Sequence, residues 1–323
     1  MTLTREELDA ATAVVRRHFP ATPQFAWPLL GREVGAQVWV KHENQTPTGA
    51  FKVRGGLVYA DRLVRERPHV RGLVSATRGN HGQSLAYAGR AAGLRVVIVV
   101  PEGNSPDKNA AMEGFGAELI VHGRDFQESR EHAMGLGEEL GLEPVPPFHP
   151  DLVAGVATYA KELFDAAGAL DTVYVPVGMG SGICSLIATR DLLGLPTEVV
   201  GVVSDRAPAT ALSFEAGEVV DTATADTFVD GVACRAPMAE AVEQIVAGAA
   251  RVLTVSEDET AEAMRVMLRT THQLPEPSGA IALAGLLSER DRVAGRRVAT
   301  VLTGGNCDAD ILVTVLAGRT PTP

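Results

Sequence analysis

Residues 41–56, KHENQTPTGAFKVRGG, end a strand, cross a polar turn and open a helix. The Thr, Pro and Gly of the turn bring Lys52, directly behind Phe51, to the strand-to-helix junction. An amine held there is a candidate for covalent chemistry, because it can form a Schiff base with a carbonyl cofactor. Most lysines near a helix start are solvated surface charges. What Lys52 does therefore depends on what the rest of the chain places beside it.

Outward from this stretch, strands and helices alternate. Upstream, Thr4 with Glu6 and Glu7, ahead of Leu8, Ala11, Val14 and Val15, reads as a capped amphipathic helix, and Gln37–Val40 as a strand. Downstream, Leu73–Ala76, Arg95–Val100, Ala117–Val121, Thr172–Val177, Glu198–Val203 and Arg297–Leu302 read as strands. Between them, helices are expected over Asn80–Ala92, Asp107–Phe115, Arg124–Leu140, Leu152–Ala167, Ser181–Leu193 and Gly279–Glu289, and over Ala261–Thr270 behind a Ser256/Glu259 capping box. The strands are continuous apolar runs rather than alternating ones, which indicates parallel sheets covered on both faces. The class is α/β. A Pro-rich link, Pro144–Pro150, divides the pattern and points to two sheets, and the tail Thr320–Pro323 is expected to fray.

The 323 residues suffice for a real core without staples. A formal net charge of −11 argues against nucleic acid or an anionic membrane as the main partner, and leaves room for a local cationic pocket. Cys184, Cys234 and Cys307 are far apart and in no C-x-x-C arrangement, which fits a reducing compartment and offers no metal motif. The opening MTLTREELDA lacks the apolar stretch of a signal peptide, and the longest aliphatic run, Val96–Val100, is too short to span a bilayer. A cytoplasmic protein is expected.

Three further loops follow predicted strands. Gly178-Met179-Gly180-Ser181-Gly182 opens a helix, where backbone N–H groups can close on an anion. It lacks the G-K-[ST] of a nucleotide P-loop and the G-x-G-x-x-G spacing, so a single small phosphate suits it, as does a bare strand-to-helix turn. Thr77-Arg78-Gly79-Asn80-His81 gathers hydroxyl, amide and imidazole groups on a second helix start, a setting suited to a carboxylate. Thr303-Gly304-Gly305-Asn306 sets a hydroxyl at a third strand's end. Each loop alone is a weak signal. Together with Lys52 they occupy the carboxyl ends of parallel strands, where ligands bind in such folds.

Taken in order, KHENQTPTGAFKVRGG, TRGNHGQ, VPVGMGSG, VDGVA, EPSGA and LTGGN resemble fold-type II pyridoxal-phosphate enzymes, of the tryptophan synthase β-like architecture. The likeness is to serine/threonine dehydratases (threonine ammonia-lyases) and the related serine racemases, and it covers nearly the whole chain. It implies two domains, each a mostly parallel sheet flanked by helices: residues 1–71 and 149–323 a large cofactor-binding domain, residues 72–148 a small mobile one. It implies pyridoxal 5'-phosphate held by Lys52, which then moves the Cα proton. Phe51 would line the ring, Asn80 meet its 3-oxygen, and Gly178, Met179, Gly180, Ser181 and Gly182 cradle the phosphate. Thr303 would face the pyridine nitrogen, and Glu276 and Gly231 lie near ring and substrate. Thr77, Arg78, Gly79, Asn80 and His81 would take the substrate carboxylate. The implied reaction is β-elimination from a β-hydroxy amino acid such as L-threonine or L-serine, with 3-hydroxyaspartate or phenylserine as rivals, in a homodimer.

The chain departs from this pattern in places. Arg78 replaces a small residue that serves racemases as acid or base on the second face, and a permanently protonated arginine cannot take that proton. Arg78 thus argues against racemisation, which with β-replacement is the alternative chemistry on the same scaffold. Arg78 either tunes substrate choice or pairs with a surface carboxylate. Val203 and Ala209 stand where some relatives carry cation ligands, so no divalent metal is expected there. Gly155-Val156-Ala157-Thr158 replaces G-Q-G-T, and Met179 and Ser181 replace glycines of the phosphate loop. The chain ends soon after TGGN, so feedback by isoleucine through a C-terminal domain is not expected.

Overall fold

The apolar runs become strands with helices on both sides. The computed structural model describes residues 2–124 and 126–322; Asp125, inside the expected helix Arg124–Leu140, and Met1 and Pro323 lie outside them. Among the described residues ten strands form two sheets: β1 (Gln24–Ala26), β2 (Gln37–His42), β3 (Gly72–Ala76), β4 (Arg95–Val100), β5 (Glu118–Val121), β6 (Glu143–Pro144), β7 (Thr172–Pro176), β8 (Glu198–Ser204), β9 (Arg251–Val255) and β10 (Arg297–Leu302). The larger sheet has the order β1-β2-β10-β7-β8-β9, and every pair but β1–β2 is parallel. The smaller, β5-β4-β3-β6, is wholly parallel. Its strands fall between Gly72 and Pro144, and the Pro-rich link contributes the end of β6 and the first residue of the following helix.

The helices are α1 (Arg5–Arg16), α2 (Pro28–Val34), α3 (Lys52–Glu66), α4 (Asn80–Ala92), α5 (Pro106–Gly114), α6 (Phe126–Leu140), α7 (Pro150–Ala167), α8 (Ser181–Leu192), α9 (Ala209–Ala216), α10 (Ala239–Gly248), α11 (Glu257–Thr271), α12 (Pro277–Ser288), α13 (Arg290–Val293) and α14 (Ala309–Leu316). Caps explain several starts. Thr4 and Glu7 form a capping box at α1, as do Ser256 and Glu259 at α11. Pro106, Pro150 and Pro277 open α5, α7 and α12, where the missing N–H costs nothing. The sequence pattern had set α12 two residues later, at Gly279. The same helix is apolar around its circumference and lies in the core on one face of the larger sheet with α11, while α7 and α8 cover the other face. The smaller sheet packs α3 and α4 on one face and α6 on the other.

A cluster of buried charges lies under the first turn of α3. Arg54 donates to Glu43 at 2.7 Å and to Glu162 at 2.8 and 2.9 Å. Lys41 reaches Glu162 at 2.6 Å, and Arg16 reaches it at 2.7 Å. Each of these ions was costly to remove from water, and only mutual pairing and hydrogen bonds offset that cost. Burial works against the charge on both Lys41 and Glu162. Arg54 and Lys41 nevertheless hold the Glu162 carboxyl down at about 2, whereas the Lys41 amine still sits below its usual range. The cluster ties α1, β2 and α7 to the helix that begins with Lys52.

Candidate active site

Lys52 is the first residue of α3, and its backbone is held from two sides. The Phe51 N–H donates to the Thr303 carbonyl at 2.9 Å, and the Gly305 N–H to the Gly49 carbonyl at 2.9 Å. The Asn306 amide donates to the Thr48 carbonyl at 2.8 Å. The TGGN loop after β10 is thus fastened along the turn that follows β2, as the parallel pairing of those strands dictates. On the other side, Ser84 of α4 donates to the Lys52 carbonyl at 2.7 Å. The ammonium lies 4.9 Å from the Phe51 ring centroid. Protein surrounds it, although the residue keeps some access to the cleft. Burial lowers its amine to about 8, against the attraction of Glu276.

Glu276 caps α12 and is buried, which pushes its carboxyl up to about 7; Lys108 opposes the rise, and so do bonds from Ser278 and Asn80. Asn80 donates to Glu276 at 2.7 Å and accepts from Asn306 at 2.8 Å. This chain of side chains joins α4, on the smaller sheet, to two loops of the larger one. His81 lies close to Lys52. Its Nε2 is buried without a partner among the described residues, and burial together with the lysine's charge lowers its imidazole to about 3. In the same loop the Gly79 N–H donates to Thr77 Oγ1 at 3.2 Å. Arg78, at the tip, is exposed and forms no ion pair with a carboxylate among the described residues.

The glycine loop after β7 is a tight cradle. Gly180 takes φ +100°, a left-handed conformation that an L side chain would strain, and it opens α8. A Cβ on Gly178 would stand 2.3 Å from the Gly231 carbonyl oxygen, so the VDGVA loop closes directly on it. Tyr159 and Ser185 donate to the Gly182 carbonyl at 3.1 and 2.7 Å and fix the loop from behind. Ser181 is buried, and Met179 meets the Cys234 thiol at 3.7 Å. Thr303 donates to the Ser278 carbonyl at 3.2 Å. Val203 and Ala209 are buried aliphatic side chains of β8 and α9.

Lys52 and the three loops named in the sequence therefore share one cleft, with Gly231 and Glu276. The sequence reading missed Lys108, which faces Glu276, and Asp230 and Asp308, which pair with it. A signal was available: Pro101–Ser105 is a fourth loop at a strand's carboxyl end, and Lys108 lies in the first turn of the helix it opens.

The cleft fits pyridoxal 5'-phosphate. It offers an enclosed amine for the aldehyde, an unpartnered imidazole and a glycine cradle with free helix N–H groups for a phosphate. Comparison with known proteins agrees. A family model described as "Pyridoxal-phosphate dependent enzyme" matches residues 15–304. The chain is 29% identical over 317 residues to an L-threo-3-hydroxyaspartate ammonia-lyase of Saccharomyces cerevisiae, covering 98% of this chain and 97% of that one. It is 32% identical to the biosynthetic L-threonine dehydratase of Escherichia coli over 88% of its own length, and spans 56% of that longer protein. The solved threonine deaminase of T.th. superposes with a TM-score of 0.89 at 32% identity, covering 95% of this chain and 99% of that one.

Proposed function

The chain belongs to the family of pyridoxal-phosphate dependent enzymes, and from that premise we propose an ammonia-lyase that removes the β-hydroxyl and the amino group of L-threonine or L-serine. The observation that carries this reading is the enclosed Lys52 amine beside Glu276 and the unpartnered His81, with the glycine cradle joined to Phe51 through Tyr159. Pyridoxal 5'-phosphate, when bound, supplies the electron sink at Cα.

The chain's own residues do the rest. Lys52 would hold the cofactor, and its amine would take the Cα proton. An amine at about 8 is neutral in roughly a tenth of molecules at pH 7, enough to serve as a base. The start of α4 and the Thr77 hydroxyl hold the substrate carboxylate. The Gly178–Gly182 loop would hold the cofactor phosphate, which would supply the acid for the leaving hydroxyl. Thr303 brings a neutral hydroxyl to the ring nitrogen and so does not hold it protonated as a carboxylate would. Substrate loses water, and the released enamine hydrolyses to a 2-oxo acid and ammonia.

The test is optical and chemical together. Wild type with cofactor should be yellow and should yield 2-oxo acid and ammonia from threonine or serine, and Lys52→Ala should lose both. A colourless wild type with cofactor present would remove the reading.

A second substrate, 3-hydroxyaspartate, is favoured by the unpaired guanidinium of Arg78 beside the carboxylate loop. Arg78→Ala should then lose about tenfold more kcat/KM on 3-hydroxyaspartate than on threonine. Equal losses would exclude this role. A homodimer is proposed with it, supported by the exposed Leu274, Val313 and Leu316. A cytoplasmic location is part of the same proposal, supported by the free thiols of Cys184, Cys234 and Cys307. Among the described residues no helix is long and apolar enough to cross a membrane.

A further inference from the structure

Lys108 meets three walls of the cleft. It lies on α5, against the smaller sheet. Its ammonium is 2.7 Å from Asp230 and 3.5 Å from Asp308. Asp230 precedes Gly231, whose carbonyl abuts the phosphate cradle, and Asp308 follows the TGGN loop. The aliphatic stem runs beneath the carboxylate loop, where a Cβ on Gly79 would stand 3.1 Å from Lys108 Cδ. Ser105, the cap of α5, donates to the second oxygen of Asp308 at 2.7 Å. Under the bridge remains a cavity of about 10 Å³, lined by Lys108, Asp230, Gly231, Glu276, Ser278 and Asp308. That is room for no more than one water. The bridge spans this face, above Glu276 and Gly231. The Asp230 side chain is 43% exposed, so water can replace its half of the bridge.

We propose that Lys108 is a positioning residue, which locks the carboxylate loop against the Asp230 and Asp308 loops once substrate is inside and releases them to admit it. The proposal rests on the lyase reading for its kinetic part only. The partners of the Lys108 ammonium are Asp230 and Asp308. It acts by fixing Gly79 and the neighbouring N–H groups relative to Gly231.

The experiment compares holoenzyme wild type with Lys108→Met, Lys108→Arg, Asp230→Asn, Asp308→Asn and the double variant Lys108→Met/Asp230→Asn. Backbone amide exchange over 77–83, 228–233 and 303–308 is followed alongside KM and kcat. Lys108→Met should speed exchange in all three segments and raise KM by about tenfold, with kcat changed less than about threefold and cofactor absorbance unchanged. Lys108→Arg should restore most of this. The double variant should match Lys108→Met, because the two partners report one bridge. Exchange and KM at wild-type values, or losses that multiply in the double variant, overturn the proposal. If Lys108→Met does not fold, the two Asp→Asn variants carry the same comparison. A wild type with no lyase turnover would sink the reaction assignment and leave the exchange result to decide the bridge.

Discussion

Replacing Lys52 by methionine should make the cofactor-free protein more stable, and the gain should fade as pH rises. Enclosure lowers this amine from 10.5 to about 8. Between those values the unfolded chain holds a proton that the folded chain has given up, so folding stability climbs with pH across that window. Below 8 the penalty for burying the amine is complete, and above 10.5 it is gone. The shift of 10.5 − 8 = 2.5 units corresponds, at about 1.4 kcal/mol per unit, to about 3 kcal/mol. Because Lys52 keeps some access to the cleft, about 2 kcal/mol is the working figure. The assay is urea unfolding of both cofactor-free proteins from pH 8 to 9.5, above the range where Glu276 titrates. Methionine also buries apolar surface, but that contribution does not depend on pH. The signature is therefore a gap that narrows by about 1 kcal/mol or more over the series. A variant less stable than wild type, or a gap constant with pH, would refute the placement of this amine in a low-dielectric pocket.

Other outcomes follow from the same geometry. Glu162→Gln should cost about 3–5 kcal/mol at pH 7, because it leaves buried cations short of a carboxylate. That carboxyl is depressed to about 2, so its contribution is present above about 4.5 and lost as pH falls towards 2; variant and wild type should converge in acid unfolding experiments. Gly178→Ala drives a methyl to 2.3 Å from the Gly231 carbonyl and should cost about 1–3 kcal/mol together with cofactor retention, read as absorbance after dialysis; full retention would show that the cradle yields. Glu276→Gln should remove a limb near pH 7 from the kcat/KM profile, and its persistence would assign that limb to another group.

The sequence made legible those parts that local pattern controls. Asn80–Ala92 and Arg297–Leu302 have their expected ends, and both capping boxes form. Continuous apolar runs told that the strands would be parallel and covered. The short edge β1, the two-residue β6 and the partly exposed β9 had no such run and were missed. Helices α2, α9, α10 and α14 passed unread for want of caps as plain as those of α1 and α11: none of the four has a side-chain cap bond. In the site, Lys52 and the glycine loops announced themselves because glycine and strand ends are local signals. The Lys108 bridge did not, since Asp230 and Asp308 lie far along the chain and their pairing follows only from the fold.

The strand order carries a consequence for how the molecule comes to exist. The strand β10 lies between β2 and β7, and pairs Arg297 with Gln37 across nearly the whole chain. During synthesis β2 and β7 must wait for β10 to leave the ribosome, with their inner edges unpaired. Such long-range pairing makes for slow folding and exposes sticky edges meanwhile. Thr303 and its loop arrive with β10 and seat the backbone in front of Lys52. A nascent chain therefore lacks this support in front of Lys52 until β10 and the loop behind it have emerged, and the site is completed by the insertion of β10 between β2 and β7.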